Sequence, residues 1–146
     1  MRDTPRSAFP HFTALPTRWM DNDIYGHVNN VVYYSYFDTA VNAFLIERGV
    51  LDIHHGDVVG FVVDSGCSYY QSLSFPDVVH AGIRVSKLGT SSVRYEIALY
   101  RNEDALPAAF GHFVHVYVDR SSNKPVPIQE ATRAVLATIA APQLPR

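Results

Sequence analysis

Between Asp21 and Asn30 the chain reads Asp-Asn-Asp-Ile-Tyr-Gly-His-Val-Asn-Asn, a run rich in groups able to act on a carbonyl. An unperturbed aspartate is ionised at neutral pH, as a general base or a nucleophile must be. Seven residues after Asp23 comes Asn30, which reads as the first turn of a helix. Backbone N–H groups there lack intrahelical partners. A carbonyl oxygen docked at that turn would be polarised by the N–H and the helix dipole, while Asp23 approaches the carbon or an attacking water. His27 could orient the carboxylate or the water, or simply close the loop. Asn29 and Asn30 are candidate caps, and their amides are also possible donors. The competing reading for Asp21, Asn22 and Asp23 is a plain turn, which these side chains favour by bonding to nearby backbone. Spacing alone leaves both open.

Other chemistries do not fit. Asp21, Asp23 and Gly26 occupy positions one, three and six of a calcium-type loop, but Tyr25 and Val32 stand where ligands five and twelve belong. His112 and His115 fall on opposite faces of a strand. His54-His55 has no partner at zinc-ligand spacing. There is no G-x-S-x-G elbow, no G-x-x-x-x-G-K phosphate loop and no G-x-G-x-x-G. Cys67, in a strand-like context, reads as a small buried residue rather than a nucleophile. Neither a metal nor a cofactor is expected.

Positioning these groups requires a helix and a sheet. From Asn30 onward Tyr33, Phe37, Ala40, Val41 and Phe44 recur at the three- and four-residue spacing of a one-sided helix. Asn29 or Asn30 caps its start and Gly49 suits the residue past its end. Its aromatic residues are poor intrinsic helix formers, so packing must hold it. His11 to Trp19 reads as a first strand. Strand-like stretches follow at Val58 to Ser72, Asp77 to Leu88, Ser92 to Arg101 and Ala108 to Asp119. Val79, Ala81, Ile83 and Val85, and again Val93, Tyr95, Ile97 and Leu99, alternate with partners on the other face. Gly89-Thr90-Ser91 and Asn102-Glu103-Asp104 read as hairpin turns, which make their strands antiparallel. Ile128 to Ile139 predicts a short terminal helix. Met1 to Pro10 reads as a loose arm, and Ala140 to Arg146 as a frayed tail.

The 146 residues suit one α+β domain with a real core. Hydrophobic residues at 47% and charged residues at 18% give an ordinary globular balance. A net charge of −2 gives no electrostatic case for nucleic acid. No apolar run is long enough to span a bilayer, so no membrane partner is expected. One cysteine and no apolar leader segment near Met1 point to a reducing, cytoplasmic location. A single sheet leaves edge strands open, which favours pairing with a second copy.

The pattern Arg18-x-x-Asp21-x-Asp23-x-x-Gly26-His27-Val28-Asn29-Asn30-x-x-Tyr33, then Tyr36-Phe37-Asp38, resembles the opening of hotdog-fold acyl-CoA thioesterases of the 4-hydroxybenzoyl-CoA thioesterase group. Val85 to Ser92, Val116 to Asp119 and Lys124 to Ile128 are similar to later parts of that family, so the resemblance runs from about Thr13 to Leu136. It implies a hotdog fold, a long central helix wrapped by a curled five-stranded antiparallel sheet. It implies homodimers with a continuous sheet, often paired into tetramers, and active sites at the dimer interface. There an acyl-CoA substrate is cleaved to a free acid and coenzyme A. Asp23 matches the catalytic carboxylate, and Asn30 the residue whose backbone N–H polarises the thioester carbonyl. His27 joins them, with Asp21, Asn29 and Tyr33 shaping the site. Ser91 and Ser92 follow the turn that meets pantetheine or acyl groups. At Asp38 many relatives carry a glutamate, so the pocket floor differs by a methylene. Thioesters of acyl carrier protein, or an acyl-CoA-binding dimer without turnover, are the alternatives. The D-x-N-P-x-H pattern of hotdog hydratases is not found.

Overall fold

The computed structural model describes residues 1–52 and 56–141. The His54-His55 pair and most of the tail expected to fray, 142–146, lie outside the described residues.

Helix α1 spans Asn30–Glu47, as its apolar period predicts. The Asn29 side chain caps it by accepting from the Val31 N–H at 3.2 Å, and Gly49 takes φ +74° just past the end, a left-handed value that suits glycine. Five strands follow the periodicity closely: β1 His11–Pro16, β2 Val58–Tyr69, β3 Val78–Leu88, β4 Ser92–Arg101 and β5 Ala109–Asp119. A short helix, α2, covers Glu130–Ala137. The strands form one antiparallel sheet in the order β1-β3-β4-β5-β2.

One face of that sheet and one stripe of α1 make the main core. Tyr33, Phe37, Ala40, Val41 and Phe44 are buried with Ile83, Ile97, Leu99 and Phe113. Burying each of the larger side chains contributes about 1.5–3 kcal/mol, which outweighs the poor helix propensity of the aromatic run. This is the hotdog architecture that the resemblance implies.

Boundaries differ where local bonding overrides period. The first strand stops at Pro16 instead of reaching Trp19, because Trp19–Asp21 winds into a 3-10 turn. The second hairpin turn is longer than Asn102-Glu103-Asp104 and runs to Ala108, whose N–H bonds Leu99 O at 2.7 Å.

Residues 1–10, expected to be a loose arm, are packed onto the outer face of the sheet. Phe9 is 5% exposed and clusters with Ala98, Tyr100 and Phe110. The Tyr100 hydroxyl donates to Thr4 O at 2.8 Å, and the Arg6 side chain donates to Asp104 O and Asn102 O. Beneath the arm, Arg84 Nε lies 2.9 Å from Glu96 Oε1, and the Arg84 guanidinium sits 4.7 Å from the Phe9 ring centre. The alternate positions of β3 and β4, which sequence leaves to solvent, carry apolar area that the arm covers.

Candidate active site

Arg18 and Asp21 set the loop before α1. Asp21 is 1% exposed. Its carboxylate accepts from the Arg18 N–H at 2.8 Å, from Arg18 Nε at 3.0 Å and from the Tyr36 hydroxyl at 2.8 Å. Burial acts to raise its pKa, but those hydrogen bonds and the guanidinium hold it below the usual carboxylate range. Asp21, expected among the substrate-binding residues, therefore has its carboxylate committed to the scaffold.

The next residues close a small loop. Asn22 and Val28 bridge in antiparallel fashion, the Asp23 N–H bonds His27 O at 2.8 Å, and Gly26 turns the chain at φ +79°. The loop is fixed to the segment after β2: the Val28 N–H bonds Leu73 O, Ser74 Oγ donates to Gly26 O, and the Phe75 N–H donates to Asn22 Oδ1. Asp23 Oδ1 accepts from the Tyr25 N–H at 2.9 Å, the local bond of the turn reading. The side chain is only half-buried, and His27 beside it is exposed.

At the end of this loop α1 begins. Asn29 accepts from the Val31 N–H through its side chain and from the Val32 N–H through its carbonyl. Among the described residues no group accepts from the Asn30 N–H. Asn30 lines a cleft of about 320 Å³ with Val28, Tyr33, Tyr69, Gln71 and Ser72. The Tyr33 and Tyr69 rings meet edge to face at 4.9 Å, and the Tyr69 hydroxyl donates to Asn30 O at 3.4 Å. A small concave site at a helix N-terminus, with an unbonded N–H and polar groups around it, can hold and polarise a carbonyl oxygen.

The remaining candidates are spread out. Asp38 stands on the exposed side of α1, where Asn42 Nδ2 donates to its Oδ1 at 3.1 Å. It is eight residues past Asn30, about 12 Å along the helix. Ser91 and Ser92 lie at the other end of the sheet. Ser92 pairs with Val116 whereas Tyr69 pairs with Ala109, a separation of about 23 Å along β5. Within one chain the structure thus brings Asn30, Asn29 and Tyr33 together with the Asp23–His27 loop adjacent, and leaves Asp38, Ser91 and Ser92 apart. Gln71 and Ser72 carry no motif, and only the return of β2 toward α1 reveals their place. Burial pushes the Cys67 thiol up to about 11, so it is a poor nucleophile at neutral pH. Among the described residues no three His, Cys, Asp or Glu side chains converge as metal ligands.

Residues 17–136 match the family model of the thioesterase-like superfamily, a span that includes the loop, α1 and the whole cleft. The chain belongs to the thioesterase-like superfamily. Among solved structures, that of the PA5185 protein of Pseudomonas aeruginosa strain PAO1 is similar, at 51% identity over 94% of this chain and 96% of its own, with a TM-score of 0.92. A thioesterase from Thermus thermophilus, solved with coenzyme A and zinc, is 31% identical over 90% of this chain and 95% of its own, with a TM-score of 0.75. The uncharacterized protein YsmA of Bacillus subtilis strain 168 is 23% identical over 83% of this chain and 81% of its own.

Proposed function

We propose that this thioesterase-like protein is an acyl-CoA thioesterase, which hydrolyses the thioester to a free acid and coenzyme A. The observation that carries the reading is the Asn30 N–H, which finds no acceptor among the described residues and lies at the start of α1 on a cleft. The thioester carbonyl oxygen docks there, and the N–H and helix dipole stabilise the negative charge that develops on it. Asp23 acts on the same carbon in one of two ways. As a base it takes a proton from water, whose oxygen adds to the carbonyl. As a nucleophile it adds directly, and water then cleaves the anhydride. Either way the C–S bond breaks and the sulfur leaves as coenzyme A thiol. His27 steadies the carboxylate or water. The relative solved with coenzyme A supports that carrier over an acyl carrier protein.

The working unit in this reading is a homodimer joined through β2, with tetramers a further step. Strand β2 is an edge whose Phe61, Val62 and Val63 are 45%, 48% and 59% exposed. An apolar edge of this length is a template for a second copy. Ile24, Tyr25 and Val31 around the loop are exposed as well, and association would cover them.

The test is thiol release from a panel of acyl-CoAs by wild type and Asp23→Asn. Release should fall by about 10²–10⁴-fold with the fold intact. Unchanged release would reject the assignment of Asp23. Tight acyl-CoA binding without release by the wild type would favour the non-catalytic binding dimer, in which Asp23 serves only its turn.

A further inference from the structure

A second cavity, of about 390 Å³, lies at the far end of α1. Asn42, Leu45, Val50, His115, Gln129 and Thr132 contribute to its wall. Its size suits part of a small organic ligand. His115 is 5% exposed, and its Nε2 is buried without a hydrogen-bond partner among the described residues. Gly60 also lines the cavity. A Cβ at Gly60 would sit 3.4 Å from His115 Nδ1, so the absent side chain leaves that edge of the imidazole open. Burial lowers the pKa of His115, against an opposing pull from Asp38, which keeps the ring neutral at neutral pH. A neutral imidazole offers one donor and one acceptor. On the open edge it is Nδ1 that a polar atom in the cavity would meet, in a wall shared with Asn42, Asp52, Arg120, Gln129 and Thr132.

Within one chain this cavity is remote from the cleft. Asn42 comes twelve residues after Asn30, about 18 Å along α1. Antiparallel self-pairing of β2 changes that. Val58–Tyr69 has twelve residues, so pairing about its midpoint, between Val63 and Asp64, sets Tyr69 opposite Val58 of the second copy. Tyr69 lies against Asn30, and Val58 lines the cavity. The helix start of one copy then faces the cavity of the other.

We propose that this cavity receives the distal part of the acyl group bound at the other copy's helix start. His115 there selects acyl groups that carry a hydrogen-bonding oxygen, a hydroxyl or an oxo group, over plain alkyl groups of the same length. The inference rests on the thioesterase reading for its reacting end, but the cavity can be tested separately.

The experiment compares 10-hydroxydecanoyl-CoA and 10-oxodecanoyl-CoA with decanoyl-CoA by thiol release. In parallel, calorimetry measures binding of the corresponding free acids to Asp23→Asn. Wild type should favour the oxygenated esters by about tenfold in kcat/KM, chiefly through KM. His115→Phe should bring the ratio to near one, and so should Gly60→Ala, which covers Nδ1 and keeps the histidine. Hydrolysis of all three esters at equal efficiency would overturn this inference and leave the thioesterase reading standing. Absence of hydrolysis with His115-dependent binding of the hydroxy acid would support the cavity and overturn the thioesterase reading. A preference that persists in both variants would overturn the role of His115.

Discussion

The Tyr36 hydroxyl donates a 2.8 Å hydrogen bond to Asp21 Oδ2, so the second turn of α1 is bonded to the carboxylate that Arg18 grips from the other side. Loop and helix are thereby held in one relation, and with them Asp23 and the Asn30 N–H. The first consequence concerns Tyr36→Phe. It keeps the ring and removes one bond to a buried charge, so it should lower stability by about 1.5–3 kcal/mol in urea unfolding. A change below a few tenths of a kcal/mol would mean the bond carries no net stability.

The same carboxylate sets an acid limit. Its pKa is lowered in the folded protein, so its contribution is complete above the unfolded value of about 3.9 and is lost as pH falls through the folded one. Wild type should lose stability over that acid range more steeply than Asp21→Asn, which has no proton to gain there. Stability measured across that range would show parallel curves if Asp21 were not coupled to folding.

Gly111 lies where β5 passes under α1. A Cβ there would fall 2.6 Å from Phe37 Cζ and 2.6 Å from Gly66 O, a buried ring and a backbone atom that cannot both yield. Gly111→Ala should destabilise by about 1–3 kcal/mol, read as a lower urea midpoint. Retention of the wild-type midpoint would show that the ring shifts freely.

Val63 lies beside the midpoint of the exposed edge strand. In a β2 self-paired about that midpoint Val63 stands opposite Asp64 of the second copy, so Val63→Glu sets like charges directly across the pair. The variant should sediment as a folded monomer and lose hydrolysis, because each site takes its cavity from the other copy. A dimer of unchanged stability would place the interface elsewhere.

Much of this was legible in the sequence, for identifiable reasons. Helix α1 announces itself because its apolar stripe keeps period from Tyr33 to Phe44 and both ends carry capping residues. Strand β4 falls on Ser92–Arg101 as read, since a strict alternation fixes which residues face inward. The packed arm was not legible. Phe9 is one aromatic in a stretch without period, and its partners Tyr100 and Phe110 sit at strand positions that alternation assigns to the outside. Asn30 could be found from the helix start, but His115 could not. Sequence pairs it with His112 as a failed metal site, and only the approach of Gly60 and the cavity beside it mark it out.

The arm also bears on how the chain is made. Thr4 reaches Tyr100 across 96 residues, and Arg6 reaches Asp104 across 98. On a ribosome these residues emerge before β4 and β5, yet their docking surface exists only once those strands have been synthesised and paired. Loop closure over such separations is slow, so the opening segment is among the last to lock into place. Nascent chains halted before Tyr100 should keep it accessible to protease, with the Arg84–Glu96 ion pair still uncovered.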